Sequence, residues 1–331
     1  MSQIKRIISV TIILLSLLAG TAVAEREQVR IAQFGKSKFL LYLPLYVAME
    51  EGFFEREGIA VDLSFAGNDD QVFAAVAAQQ ADFGVGDPVF SAIAVERGFE
   101  ARTVALMIQR LAVLGYTRRS DIPVVSRIDE LAGLRLSSFP APSTTFTLLQ
   151  GLRGTLPVSK QFEIVQGAPA TQPALLAAGR VDVALDLEPA VAIAESQGAR
   201  LVFDLAAFTD PQAITGLTTS KKLIDERPAT VKKVVRALSD ALVQMQKKPE
   251  VAQRVARKLF PEVEAATMER AVSRILGSGV YPSDTRISDA LWQRSLRTRL
   301  ESGDLTHPQP TGAAVEGRFA AEAVTASQDR E

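Results

Sequence analysis

The apolar and polar positions of this chain follow two periods. Ile59, Val61, Leu63 and Phe65 alternate with Ala60, Asp62 and Ser64, the period of two that predicts a half-buried strand. Val29 to Phe34 predicts a strand before it and Ala81 to Gly86 a strand after it. Helical patterns lie between these. Pro44 suits the first turn of a helix whose Leu45, Ala48 and Met49 share one face, and Gly52 ends it. Asn68 or Asp69 can cap a helix with Val72, Phe73 and Val76 on its apolar side. Asp87 caps a helix opened by Pro88 and closed by Gly98. Val104 to Ile108 and Leu111 to Tyr116 are further strand candidates. After the turn Arg118-Arg119-Ser120-Asp121 the alternation restarts with Leu134 to Ser138, a helix from about Thr145, Phe162 to Val165, and a helix near Pro173. Alternating strands and helices predict an α/β fold of mainly parallel sheets flanked by helices, and the restart predicts a second lobe.

An internal comparison supports two lobes. A shift of 100 positions places Ala77, Ala78, Asp82, Ala92, Ile93, Ala94 and Gly98 on Ala177, Ala178, Asp182, Ala192, Ile193, Ala194 and Gly198. The alanines match easily in an Ala-rich chain; the Asp and Gly punctuation does not. Both copies then carry an acid before a proline, Asp87-Pro88 in one and Glu188-Pro189 in the other. Later in the chain Val231, Val234, Val235, Leu238, Leu242 and Met245 form an apolar stripe of the kind that faces a core. Periodicity fades after about Pro308, which predicts a mobile tail over 308–331.

The N-terminus changes the picture of where the chain works. Lys5 and Arg6 precede an apolar run from Ile7 to Leu18 and the small residues Ala22-Val23-Ala24, the pattern of a cleavable signal peptide over 1–24. Cleavage after Ala24 would leave Glu25 first and send the protein to a periplasm. The chain has no cysteine, so it is not expected to be a lipoprotein, and thiol nucleophiles, disulfides, iron–sulfur clusters and thiolate zinc sites are excluded. Its one histidine, His307, lies in the polar C-terminal stretch. No metal constellation, cofactor fingerprint or nucleophile elbow occurs, so no catalytic residue, metal or cofactor is expected. A net charge of −1 without a long basic block argues against nucleic acid. No later segment is long and apolar enough to insert stably in a membrane.

Open parallel sheets bind ligands beyond the carboxyl ends of their strands, where helix N-termini present free N–H groups. In the first lobe that rule selects Gly35, Leu41, Tyr42, Gly67, Asn68, Gly86 and Asp87; in the second it selects Ser138, Ser143, Thr144 and Glu188, with Gln166 as a further candidate. Asn68, Asp87, Ser143 and Thr144 could equally serve only as helix caps. Glu188, at a strand end facing the other lobe, would need a partner if desolvated. Arg110 is open to two readings, an anion ligand or a pair with a surface carboxylate.

Pro44-Leu45-Tyr46-Val47-Ala48 and Glu51-Gly52-Phe53-Phe54-Glu55-Arg56-Glu57-Gly58-Ile59 carry a resemblance. So do Gln80-Ala81-Asp82-Phe83-Gly84-Val85-Gly86, Asp129-Glu130-Leu131-Ala132-Gly133, Ala178-Gly179-Arg180-Val181-Asp182-Val183 and Glu188-Pro189. From about Val29 to Leu305 the chain resembles the periplasmic binding proteins of sulfonate, taurine and nitrate importers and the related binders of thiamine-pyrimidine precursors. The resemblance implies a type II periplasmic binding protein fold with the ligand in a cleft between two lobes. The first lobe would comprise 25–116 plus 215–307 and the second 117–214, with crossings near Tyr116 to Arg119 and Phe208 to Thr215. It further implies a monomer that delivers a small solute to an inner-membrane ABC permease. The first-lobe loop has no His or Trp to stack a pyrimidine, and no basic cluster suits nitrate. Tyr42, Asp87 and Glu188 would suit a ligand with an amine or amide as well as an acid or sulfonate group. The alternatives are an enzyme of the same fold acting on a pyrimidine precursor, and a ligand-sensing domain for a membrane partner.

Overall fold

A computed structural model describes residues 25–328 of the chain; the expected signal peptide lies outside the described residues. The first lobe opens with β1 (Glu27–Phe34), α1 (Leu43–Glu50) and α2 (Phe53–Arg56), then β2 (Ile59–Gly67) and α3 (Asp69–Ala77). It continues with β3 (Phe83–Gly86), α4 (Val89–Glu96) and β4 (Ala101–Ile108). The second lobe contains β5 (Leu114–Thr117), β6 (Arg135–Ser138), α5 (Thr144–Gly154), β7 (Glu163–Gln166), α6 (Gln172–Ala177), β8 (Ala184–Asp186), α7 (Ala190–Ser196) and β9 (Arg200–Asp204). The chain then returns through β10 (Thr215–Ser220) to the first lobe. The helices α8 (Lys221–Glu226), α9 (Pro228–Lys247), α10 (Pro249–Leu259), α11 (Ala265–Gly277), α12 (Asp289–Ser302) and α13 (Arg318–Gln328) complete it.

The first-lobe sheet has the order β2-β1-β3-β10-β4. β1 is parallel to β2 and β3, while β10 runs antiparallel between β3 and β4. The second lobe follows the same plan in smaller form: β5 is antiparallel to both β8 and β9, and β6 pairs in parallel with β7. A parallel bridge from Leu136 to Val183 carries β6 alongside β8. In each sheet the one reversed strand is the strand that has just crossed from the other lobe.

The 100-residue repeat has a physical counterpart. Asp82 accepts hydrogen bonds from the backbone N–H, Nε and Nη2 of Arg30, and Asp182 accepts the same three from Arg135. The backbone N–H of each aspartate donates to the carbonyl of its arginine, at 2.8 Å in both lobes. The aspartate carbonyl then accepts from a threonine on the reversed strand, Thr219 for Asp82 and Thr117 for Asp182, again at 2.7 Å in both. Even the turn before each aspartate matches, with left-handed φ of 57° at Gln79 and 64° at Gly179.

Two expectations need correction. The first crossing does not lie at Tyr116 to Arg119, because Leu114 to Thr117 already pair within the second-lobe sheet. It lies just before β5, where Arg110 Nη1 donates to the carbonyls of Ala206 and Thr209 and so fastens one crossing to the other. Arg110 lines neither of the two cavities between the lobes, and its charge acts on the nearby Asp204 carboxyl. The mobile tail is also not observed over 308–328. Val315 bridges to Thr103 on β4, and α13 packs on α9 through buried Phe319, Ala320 and Ala323. These apolar residues share one helical face too short to stand out as a period. The stripe from Val231 to Met245 is buried along α9, where it packs on α1, α2 and α13.

Candidate functional site

The carboxyl ends of β1, β2 and β3 in the first lobe face the loop after β6 and the N-terminus of α5 in the second. Two adjoining cavities lie there. The larger, about 260 Å³, is lined by Phe34, Lys36, Gly67 to Gln71, Phe90, Phe139 to Ser143 and Pro169. The smaller, about 40 Å³, is lined by residues that include Leu41, Tyr42, Asp87, Thr144, Leu187 and Thr215. Phe34, Asp69, Phe139 and Ser143 border both. The larger volume approaches the roughly 300–1,000 Å³ usual for small-molecule sites. A wider recess of about 670 Å³ lies between α5 and α12, away from the first-lobe strand ends.

Local sequence builds the first-lobe wall. The left-handed Gly35 and Gly67, with φ of 95° and 93°, exchange two backbone hydrogen bonds that turn the chain out of β1 and β2 together. Asn68 then caps α3 in a reciprocal capping box with Gln71. With the cap supplied by Asn68, the neighbouring Asp69 is free to turn inward. Asp69 is 7% exposed, and its Oδ1 accepts the Asp87 backbone N–H at 2.8 Å. Gly86 permits this approach, since a Cβ there would stand 2.4 Å from that same oxygen. Burial pushes the Asp69 carboxyl up to about 7, with the Asp87 charge adding to the rise. An aromatic wall completes this side: Phe34 meets Phe39 edge to face at 6.2 Å, and Phe39 lies against Tyr42 at 4.6 Å.

From the second lobe, Ser143 caps α5 by accepting the Phe146 N–H, and it donates to the Phe139 carbonyl. Gln166 Oε1 accepts the Ala141 N–H and so braces the loop that lines the cleft. Ser138 turns its hydroxyl to the Phe139 carbonyl. Gln166 and Ser138 therefore support the wall without lining either cavity.

The two acids before proline have protein partners. Asp87 Oδ1 accepts the Val89 N–H, and its Oδ2 accepts from Arg299 Nη2 at 2.6 Å and from Thr144 Oγ1 at 2.6 Å. Arg299, 2% exposed, also donates through Nη1 to the Pro142 carbonyl, Thr147 Oγ1 and Asp304. This buried cluster joins β3, α5 and α12 across the cleft. Glu188 lines neither cavity. Its Oε2 accepts the Ala192 N–H and its Oε1 accepts from Arg274 Nη1 at 2.8 Å; Arg274 also pairs with Glu195. Burial raises the Glu188 carboxyl, opposed by the Arg274 charge. Its backbone still faces the first lobe, where the Leu40 N–H donates to the Glu188 carbonyl at 2.8 Å.

Of the sequence candidates, the structure brings Leu41, Tyr42, Gly67, Asn68, Asp87, Ser143 and Thr144 to the cavities. Gly35 and Gly86 shape the loops that line them. Sequence reasoning missed Phe34, Phe139, Arg274 and Arg299, and read Asp69 only as a possible cap. The two arginines lie in helices more than 80 residues from their acids, and no local pattern marks them. His307 is exposed against Glu96 and away from both cavities. Among the described residues no cluster of His, Asp or Glu could hold a metal ion, and no helix is long and apolar enough to cross a membrane.

A model of the NMT1/THI5-like family matches residues 41–252, which include most of both cavity walls. The chain belongs to that family. The riboflavin-binding protein RibY of Chloroflexus aurantiacus is 26% identical over 228 residues, 67% of this chain and 64% of that protein, so less than two thirds of that relative's length is covered. The alkanesulfonate-binding protein SsuA of Xanthomonas axonopodis pv. citri, bound to MOPS, superposes with a TM-score of 0.66 at 17% identity, covering 91% of this chain and 99% of that one. The desulfurization enzyme DSZB superposes with a TM-score of 0.65 at 17% identity, covering 91% and 100%. These NMT1/THI5-like lobes thus have the type II periplasmic binding protein fold, a fold that serves binding proteins and an enzyme alike.

Proposed function

We propose that this chain is the periplasmic solute-binding component of an ABC importer, exported by cleavage after Ala24, which closes its lobes on a small organic solute and presents it to an inner-membrane permease. The observation that carries this reading is the 260 Å³ cavity walled from both lobes by phenylalanine rings, with a few placed polar groups from loops and helix N-termini. A solute seated there would touch both lobes, so its binding energy would favour the closed arrangement. Family membership and the RibY relative support binding. The site favours a ring-bearing, nitrogen-containing solute over a bare sulfonate or nitrate, because Asp69 and Asp70 outnumber Lys36 on the wall of the larger cavity and Arg299 is already neutralised by Asp87 and Asp304. The fold of DSZB keeps an enzyme as the second reading. Family membership and the RibY relative favour binding over it.

The test is a thermal-shift screen of protein recovered from the periplasm against flavins, pyrimidines, aromatic acids, sulfonates, taurine and nitrate, with each compound followed by mass spectrometry. A ligand at 100 times its dissociation constant adds about 2.7 kcal/mol of stability. A shift with the compound recovered unchanged is the expected result; chemical conversion would make the chain an enzyme, and retention in the cytoplasm with residues 1–24 intact would end the export reading.

A further inference from the structure

Three carboxylates were drawn to the cleft by sequence or structure, and two of them are used up. Asp87 is saturated by Val89, Arg299 and Thr144, and Glu188 by Ala192 and Arg274. Asp69 differs. Its Oδ1 is held by the Asp87 N–H, yet among the described residues no donor meets its Oδ2. The side chain is nevertheless 93% buried, since only 7% is exposed, and it borders both cavities. The Oδ2 oxygen keeps some accessible surface, so a water or a ligand N–H can reach it, and a donor there would stabilise a carboxylate whose surroundings are otherwise desolvated. Phe34 and Phe139, from opposite lobes, border the same two cavities and offer flat apolar surface to a ring.

We infer that Asp69 is the specificity-determining acid of the cleft, and that its Oδ2 accepts a hydrogen bond from a ring N–H of a neutral heterocyclic solute held between Phe34 and Phe139. This rests on the solute-binding reading above and adds the ligand chemistry to it. A bare anion would bring negative charge against Asp69, whereas a ring N–H supplies the missing donor. The carboxyl rise to about 7 follows from the desolvation that such a donor would offset. The orientation of the group is fixed, because Asp87 requires an acceptor at Oδ1 and Gly86 packs against that oxygen. In Asp69→Asn the amide oxygen would therefore face the Asp87 N–H and the NH2 would face the cavity. A donor would then meet a donor.

The experiment is calorimetric titration of the wild-type protein and Asp69→Asn with matched ring compounds that differ only in N–H against N–CH3: riboflavin with its N3-methyl derivative, and uracil with 1,3-dimethyluracil. Benzenesulfonate serves as an anionic ring without a donor. The expected result is that an N–H compound binds wild type at least tenfold more tightly than its methylated partner, and that Asp69→Asn abolishes this difference. The wild-type comparison stands even if the variant folds poorly. The inference is overturned if methylation leaves wild-type affinity unchanged, if no N–H compound binds, or if a folded Asp69→Asn keeps the wild-type ratio. Tight binding of benzenesulfonate alone would overturn the Asp69 subsite while leaving the solute-binding reading intact; failure of every compound in the broader screen would remove both.

Discussion

The two lobes solve one structural problem with the same parts and then diverge at the cleft. In both, a strand arginine clasps an aspartate, Arg30 with Asp82 and Arg135 with Asp182, and a threonine from the reversed strand closes the motif. In both, the acid before proline is taken by an arginine from the C-terminal helices. The partners differ in depth. Arg299 and Asp87 are 2% and 4% exposed and hydrogen-bond to groups of both lobes, whereas Arg274 is 24% exposed above a Glu188 that is itself buried and reaches a second, half-buried acid in Glu195. A repeated backbone plan therefore supplies two interlobe fastenings of unequal solvation. The buried one lies beside the cavities and the wetter one away from them.

The largest expected effect comes from breaking the buried fastening. Arg299→Ala leaves Asp87 desolvated without its cation, and urea unfolding should register a loss of about 3–5 kcal/mol. Arg274→Ala should cost less, about 1–3 kcal/mol, because Arg274 is itself 24% exposed and the buried Glu188, whose carboxyl is already raised, can bind a proton instead. Equal losses would refute the distinction. Differential behaviour should also appear in salt, which screens the partly exposed Arg274 more than the buried Arg299.

The clasps can be compared by pH. The Arg135 hydrogen bonds hold the Asp182 carboxyl down to about 2, against burial that pushes it up. Its folded value lies below the unfolded one, so the stabilisation is present above about pH 4 and is lost as pH falls toward 2. Asp182→Asn should forfeit up to about 2 kcal/mol at pH 7 and correspondingly flatten the acid limb of stability between pH 4 and pH 2. At Asp82 burial again opposes the Arg30 hydrogen bonds, and the net shift is downward. Asp82→Asn should therefore show the same sign. A stability gain at pH 7 in either variant would contradict the clasp.

The smallest effect sharpens the match between the turns. Gly179→Ala places a Cβ at a φ of 64° and should cost about 1 kcal/mol. Gln79→Gly relieves the equivalent strain in the first lobe, so thermal unfolding should shift upward by the equivalent of up to about 1 kcal/mol, reduced by glycine's added freedom in the unfolded chain. A destabilised Gln79→Gly would mean that its hydrogen bond from Lys222 outweighs the backbone strain.

Much of the fold was legible because it is written locally. The alternation of Ile59 to Phe65, the cap at Asn68, the glycines that end helices and the 100-residue repeat all rest on neighbours within a few positions or on copying. Loops at strand ends were legible for the same reason, and several of their residues line the cavities. The sequence by itself thus determined the two-lobed α/β plan and the side of each sheet on which a cleft would form. Only the tertiary structure decided the chemistry within it. It set Arg299 against Asp87 and Arg274 against Glu188, 212 and 86 positions apart, and so gave both acids protein partners, with Glu188 away from the cavities and Asp87 at the wall of the smaller one. It also turned Asp69 inward once Asn68 had taken the cap. The physical reason is that a carboxylate's availability depends on which donors surround it after burial, and those donors come from parts of the chain that no local pattern connects.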